Sequence, residues 1–89
     1  MKKTEVIKIL ESNPYFEEFH KEFNGKFVLR YTIHNIDIIF YNTVGCFVEA
    51  WLTMSYNSYA YNQDVRDFID IAKKILQQKI NSDDAYNPM

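Results

Sequence analysis

Cysteine, glycine and histidine are scarce in this 89-residue chain, which contains one, two and two of them. The single cysteine, Cys46, has no partner for an internal disulfide, as expected in a reducing cytoplasm. A structural zinc site needs about four ligands at fixed spacing, and Cys46, His20 and His34 do not supply them. Two glycines are too few for a loop that cradles phosphate. We therefore expect neither a metal nor a cofactor.

Charge and hydropathy show no extremes either. The formal net charge is −2, and no basic block indicates a polyanion partner. The apolar stretches are short and interrupted, so we expect neither a signal peptide nor a membrane span. Hydrophobic residues make up 47% of the chain, which is enough for one core. We predict a single domain over residues 1–80 and a flexible C-terminal tail over residues 81–89.

Helical periodicity occurs at both ends of the chain. We expect Thr4 to cap a first helix, and Asn13 followed by Pro14 to interrupt it and start a second turn set. After this break, aromatic residues recur at helical spacing at Phe16, Phe19 and Phe23. The first ~20 residues therefore form one kinked helix or two short ones. A C-terminal helix is predicted over about 63–80, with Asn62 as its N-cap.

The middle of the chain contains three runs of alternating apolar and polar residues, over 26–33, 36–42 and 46–54. Such period-two alternation is typical of strands with one buried face. His34-Asn35 suits a two-residue hairpin loop, since both residue types tolerate positive φ. This turn pairs Ile33 with Ile36 and places apolar partners on one face. The sequence therefore predicts an antiparallel first hairpin.

A second turn is predicted at residues 43–45, with Gly45 in the left-handed position. It would pair Asn42 with Cys46 and Phe40 with Val48. A slip of one residue would turn the core-facing side chains of one strand away from those of the next. Both turns thus agree on one apolar face.

The predicted fold is α+β, an antiparallel three-stranded meander with a kinked N-terminal helix and a C-terminal helix on one face, in the order α-β-β-β-α. This order resembles the double-stranded-RNA-binding domain. That family carries a phosphate-contacting lysine cluster where its last helix starts, whereas this chain has Asn62, Gln63, Asp64, Arg66 and Asp67 there. The resemblance is limited to topology, and no RNA-contact residue is carried over. Nucleic-acid binding stays an alternative.

Candidate catalytic groups do not converge. The predicted register puts Cys46 and His34 at opposite ends of the second strand, about 25 Å apart, which excludes a Cys-His dyad. His20 near Glu17 suits a polar helix rim, and His34 near Asp37 suits a turn residue with a local hydrogen bond. We expect a protein that is not an enzyme.

The sheet face that the helices leave open is the first candidate contact surface. The predicted register makes three outward rows, namely Val28, Tyr41 and Phe47; Arg30, Ile39 and Glu49; and Thr32, Asp37 and Trp51. Exposed apolar clusters with a polar rim usually mark a contact, so Tyr41, Phe47, Trp51, Arg30 and Glu49 are candidate partner-binding residues. Alternatively, a loop, the N-terminal segment or the tail covers this face, or two copies pack through it.

The segment that follows the third strand is the second candidate surface. It carries Tyr56, Tyr59 and Tyr61 among Asn and Ser, a composition typical of antibody-like binding loops. Alternatively, one ring, best placed at Tyr61, fills the edge of the core beneath the C-terminal helix.

These surfaces favour a protein-binding module. The chain favours Ile, Lys, Asn and Tyr over Arg, Gly and Pro, which suggests an AT-rich bacterial or phage genome and a bacterial cytoplasm. Small inhibitors encoded by phages or mobile elements, including anti-CRISPR-type proteins, are one class with this composition. The alternatives are a homodimeric structural or regulatory protein and a nucleic-acid-binding domain.

Overall fold

A computed structural model describes residues 1–21, 28–42, 47–53 and 62–83 of the chain. Its elements, in chain order, are helix α1 (Lys3–Glu11), a 3₁₀ helix (Phe16–Lys21), strands β1 (Val28–Ile33), β2 (Ile36–Asn42) and β3 (Val48–Thr53), and helix α2 (Gln63–Asp83). The strands form one antiparallel sheet in the order β1-β2-β3. This confirms the predicted α+β fold and its α-β-β-β-α order.

Helix α1 begins two residues earlier than a Thr4 cap would place it. Lys2 is the N-cap, and its backbone N–H donates to Glu5 Oε1 at 2.9 Å. The Glu5 carboxylate thus accepts from a backbone donor at the helix start, where a negative charge also suits the macrodipole. The prediction that Thr4 caps this helix is therefore wrong.

The predicted break after α1 is present, and Asn13 organises it. Its Oδ1 accepts the Tyr15 backbone N–H at 2.9 Å, and its carbonyl accepts the Phe16 N–H at 3.0 Å. The segment that follows is 3₁₀, in which residues three apart lie on the same side. Phe16 and Phe19 are three apart and both are buried. The N-terminal region is therefore two short helical segments, while Phe23 lies outside the described residues.

The first hairpin forms as predicted. His34 and Asn35 have φ values of 51° and 66°, as a two-residue type I′ loop requires. Ile33 pairs with Ile36, and the pairing continues to Val28 with Tyr41 at the far end. Because this loop twists in the same sense as the strands, it fixes the register of β1 on β2.

The predicted register of the second hairpin is wrong by two residues. Asn42 pairs with Val48, and Phe40 pairs with Ala50, so the connection spans 43–47 instead of 43–45. A shift of two leaves every side chain on its predicted face, because side chains alternate with period two. The Val48 backbone N–H donates to Gln77 Oε1 of α2 at 2.9 Å, a contact between distant elements that the strand pattern cannot reveal.

The core lies between the sheet and the helices. Its buried side chains come from all six elements and include Leu10, Phe19, Leu29, Ile38, Phe40, Val65, Phe68, Leu76 and Ile80. At its centre, the rings of Tyr31, Phe40 and Phe68 lie 5.5 to 6.1 Å apart in edge and tilted arrangements. The helical segments therefore pack on one face of the sheet, as predicted.

Helix α2 is capped as predicted, because Asn62 Oδ1 accepts the Val65 N–H at 3.1 Å. The helix ends at Asp83, three residues later than the sequence indicates, so residues 81–83 of the predicted tail are helical. Residues 84–89 lie outside the described ranges. Within those ranges no helix is both long and apolar enough to cross a membrane.

Candidate functional site

The sheet surface opposite the core is the candidate site, and we call it the open face. Strand alternation places on it Val28, Arg30, Thr32, Asp37, Ile39, Tyr41, Glu49 and Trp51. The observed register aligns Val28 with Tyr41 and Glu49, and aligns Arg30 with Ile39 and Trp51. No described helix or strand packs over these side chains, since the buried core lies on the other side of the sheet.

Apolar side chains run across the middle of the open face. Trp51 is 64% exposed and lies directly opposite Ile39, which is half-buried on the central strand. Tyr41, also half-buried, lies two residues after Ile39 on β2 and therefore on the same face. Phe40, between them, faces the core. Val28 is 39% exposed at the end of β1. The Trp51 indole, beside Ile39, therefore faces solvent.

Polar side chains surround this apolar strip. Arg30 and Glu49 are exposed and lie on the two outer strands, in neighbouring rows. At the hairpin end, the Thr32 hydroxyl donates to Asp37 Oδ1 at 2.8 Å. Each partly exposed apolar residue thus has a charged or hydrogen-bonding neighbour, an arrangement seen in the core and rim of protein interfaces.

The corrected register moves two predicted site residues. Trp51 lies opposite Ile39 and not Asp37, so it joins the apolar strip instead of the polar end of the face. Glu49 lies opposite Tyr41. Phe47 directly precedes β3 and is 62% exposed. The face therefore brings together Arg30, Tyr41, Glu49 and Trp51, with Phe47 just before the start of β3.

Tyr56, Tyr59 and Tyr61 of the tyrosine-rich segment lie outside the described residues. Cys46 also lies outside them, so its separation from His34 stays a prediction. The side chain of His20 also lies outside the described part of the structure.

His34 has a contact that the sequence did not indicate. Its Nε2 lies 3.1 Å from Asp64 Oδ2, at the start of α2, while Asp37 accepts from Thr32. The same end of α2 holds the Met1 amino group, 2.7 Å from Asp67 Oδ2 and 3.7 Å from Asp64 Oδ1. This cluster joins the hairpin tip, the chain start and α2.

The ionisable groups of this cluster influence one another. Accepting a hydrogen bond from the Met1 amine lowers the pKa of Asp67, and a second bond from Gln63 Nε2 at 2.7 Å acts in the same direction. The same contact with Asp67 raises the pKa of the Met1 amine. Both pKa shifts favour the charged forms of the Met1 amine and the Asp67 carboxylate. The two groups therefore form an ion pair that links the chain start to α2.

Sequence reasoning missed Tyr15, which is 57% exposed. Tyr15 precedes the buried Phe16 and falls outside the three-residue spacing that Phe16 shares with Phe19. This departure from the buried spacing is the sequence feature that indicates its exposure. Residues 12–15 form one wall of a groove of about 520 Å³, and Val28, Arg30 and Tyr31 of β1 form the other. This groove lies along the outer edge of β1, next to the open face.

No metal chemistry is indicated by the described residues, which contain no group of three or more His, Cys, Asp or Glu side chains able to hold an ion. Comparisons with protein-family models, with curated proteins and with solved structures found no match. The open face and the groove beside it are thus the features on which a function can be argued.

Proposed function

We propose that the protein is a non-enzymatic protein-binding module whose open face docks on a partner protein. The observation that carries this proposal is Trp51, which is 64% exposed on β3 beside Ile39, in an apolar strip with a charged rim. Tryptophan and arginine are the residue types most enriched among those that dominate binding energy. Arg30 lies in the same row as Trp51, so the face presents both types together.

The composition of the face also supports a contact. A sheet face that serves only to meet water favours Thr, Lys and Glu, whereas Ile39, Tyr41 and Trp51 expose apolar surface here. Burying such a side chain on association contributes about 1.5–3 kcal/mol, before the entropic cost of association is subtracted. Covering this strip therefore contributes favourably to association, and contacts beyond it add to the affinity.

The charges indicate the chemistry of the partner surface. Arg30 and Glu49 lie on opposite outer strands, so a complementary surface carries an acidic group beside one edge and a basic group beside the other. Between these charges it offers an apolar depression for the Trp51 ring. Inhibition of the partner, and a location in a bacterial cytoplasm, remain predictions from composition.

A binding assay with matched variants tests this proposal. The protein is used as bait in a lysate of cells that make it naturally, and the affinity of the captured partner is then measured by calorimetry. Trp51→Ala should weaken binding by more than about 1 kcal/mol, or fivefold. Tyr15→Ala is the control, because Tyr15 is similarly exposed but lies outside the open face. Equal affinity of the Trp51→Ala variant and the unchanged protein would contradict the proposal.

A homodimer is the second candidate, and the row of Arg30, Ile39 and Trp51 favours it. If two open faces pack with a two-fold axis parallel to the strands, β1 of one copy lies over β3 of the other. Arg30 of each copy would then lie over Trp51 of the other, a cation–π arrangement. Sedimentation over a range of concentrations tests this candidate, and a monomer mass at every concentration contradicts it.

Nucleic-acid binding is the remaining alternative. Asp64 and Asp67 place carboxylates at the start of α2, where a phosphate-binding helix would present N–H groups and positive charge. We therefore expect no shift of double-stranded RNA or DNA by this protein, even at low salt.

A further inference from the structure

The outer edge of β1 is the feature that the proposed function does not use. Both loop residues of the first hairpin have positive φ, so Ile33 and Ile36 close a type I′ turn and exchange backbone hydrogen bonds. Antiparallel pairs alternate between hydrogen-bonded and non-hydrogen-bonded. The residues of β1 in non-hydrogen-bonded pairs direct their N–H and C=O groups away from β2, and these residues are Val28, Arg30 and Thr32.

This edge differs from the opposite edge of the sheet. The first amide of β3 donates to Gln77 of α2, so a helix side chain already uses that donor. Among the described residues, no backbone group bonds to the outward groups of Val28, Arg30 and Thr32. A strand edge with a row of donors and acceptors is a template for another extended chain.

The groove beside β1 gives this edge a second means of recognition. It measures about 520 Å³, within the usual range for sites that take small ligands or side chains. Pro14 and Tyr15 provide apolar surface on one wall, and Tyr31 lies on the other, next to the strand backbone. Side chains from an added strand would enter this groove at every second position, because strand side chains alternate.

We propose that β1 is a docking edge for an extended segment of another protein, which adds to the sheet as an outer strand. Its apolar side chains enter the groove between Tyr15 and Tyr31. Its intervening side chains lie beside Arg30 on the open face, where an acidic residue is the complementary choice. The motif recognised is therefore apolar at alternate positions with one acidic residue between two of them.

The charge of Arg30 argues for a different chain over a second copy. In a symmetric antiparallel pairing of two β1 strands centred on Arg30, the two guanidinium groups would lie opposite each other. Like charges directly opposite in a sheet are destabilising. The added strand would use the outward backbone of β1 and the groove. This surface shares Val28 and Arg30 with the open face but does not include Trp51, so Val28→Pro and Trp51→Thr distinguish the two proposals.

A defined peptide provides the probe. It is a heptapeptide with acetylated and amidated ends, valine at every odd position, threonine at the second and sixth, and glutamate at the fourth. Amide hydrogen exchange of the protein is followed by NMR with and without this peptide. Exchange should slow about tenfold or more at Val28, Arg30 and Thr32, because their N–H groups become hydrogen-bonded.

Charge reversal tests the role of Arg30. The same peptide with lysine in place of glutamate should bind about fivefold more weakly. Arg30→Glu should reverse this preference. Because Arg30 is exposed, this variant should keep its melting temperature, and an unchanged melting temperature excludes unfolding as the cause of altered binding. Trp51→Thr is the control from the open face and should leave peptide binding unchanged.

A backbone substitution tests strand addition itself. Val28→Pro removes an outward N–H while leaving the inward hydrogen bonds of β1 intact, and proline is tolerated at the first residue of an edge strand. It should weaken binding of the glutamate peptide about fivefold or more.

Three results overturn the proposal. The first is slow exchange of the three amides in the free protein at every concentration, which means that the chain itself covers the edge. The second is slowing that rises with protein concentration without peptide, which means that a second copy occupies it. The third is binding that Val28→Pro and Arg30→Glu leave unchanged.

Discussion

Tyr31 joins strand β1 to the first helix. Its hydroxyl donates to the Leu10 carbonyl at 2.8 Å, and its ring packs 5.5 Å from that of Phe68. Burial raises the pKa of the Tyr31 phenol, because the charged form would lose its hydration. The residue therefore combines a packing role with a buried polar contact.

Replacing Tyr31 by Phe separates these roles. The ring remains, while the hydrogen bond is lost, so we expect the free energy of unfolding to fall by about 0.5–1.5 kcal/mol. Urea unfolding measures this difference. The stability of the original protein should also fall above pH 10, where Tyr31 ionises more readily in the unfolded chain; the Tyr31→Phe variant should show less of this loss. An identical alkaline dependence in both proteins would contradict this account.

Asp67 gives a second pH dependence through its contact with the Met1 amine. The pKa of Asp67 is lowered below its ordinary 3.8, so its contribution is present above that pH and is lost as the pH falls through the lowered value. The pKa of the Met1 amine is raised above 8.0, so its contribution is present below pH 8.0 and is lost as the pH rises through the raised value. The pair therefore stabilises the fold between these limits.

Asp67→Asn tests this pair when the Met1 amine is free. Its melting temperature should lie below that of the unchanged protein between about pH 4 and 8, and the gap should narrow on both sides of that window. Asp70→Asn serves as the control, since Asp70 is exposed on the same helix. A gap that does not vary with pH would show that the effect is not ionic.

At the scale of elements, the two hairpins show how far the sequence determines the sheet. His34 and Asn35 select a two-residue loop by their own conformational tolerance, so local chemistry predicts the first register. The strand pattern around the second turn repeats every two residues and suits two registers equally. The contact of Val48 with Gln77 involves residues far apart in the chain, and only the folded structure reveals it.

Engineered disulfides distinguish the two registers in a Cys46→Ser background. Tyr41→Cys with Glu49→Cys places thiols on directly opposite residues, and we expect this pair to oxidise readily. Tyr41→Cys with Phe47→Cys follows the register predicted from sequence and should oxidise poorly. Mass spectrometry after mild oxidation measures both, and preferential bonding of the second pair would overturn the observed register.

The candidate site was predictable to the same extent. Alternation alone placed Arg30, Tyr41, Glu49 and Trp51 on the face away from the core, because a strand's phase does not depend on its exact register. Their neighbours were not predictable, since rows depend on register. The groove beside β1 was not predicted either. It forms where the chain turns between α1 and the 3₁₀ helix, next to a strand that is distant in sequence.

For the whole molecule, α2 is the element that ties the remaining parts together. Near its start, Asp64 contacts His34 of the hairpin tip. Near its end, Lys79 Nζ lies 3.2 Å from Glu17 Oε1 and 4.9 Å from the centre of the Phe16 ring. Its buried side chains fill the core between these contacts. Stability thus resides on the helical side of the sheet, while the open face contributes little to it.

This division predicts that contact and folding residues can be separated by mutation. Phe40→Ala should cost about 3–5 kcal/mol, because Phe40 is fully buried between Tyr31 and Phe68. Trp51→Thr should change stability by no more than about 0.5 kcal/mol, because the indole is largely exposed. Chemical denaturation of both variants measures these values. A large loss in Trp51→Thr would mean that the indole supports the fold.

The connection between Asn42 and Val48 has a consequence for how such chains diverge. Removing two residues from it could produce the shorter loop without turning any strand over, since both registers keep the same faces. A slip of β3 by one residue would instead expose its apolar side and bury Glu49. Length changes that survive selection in this connection should therefore be those that the loop itself takes up or that shift β3 by an even number of residues.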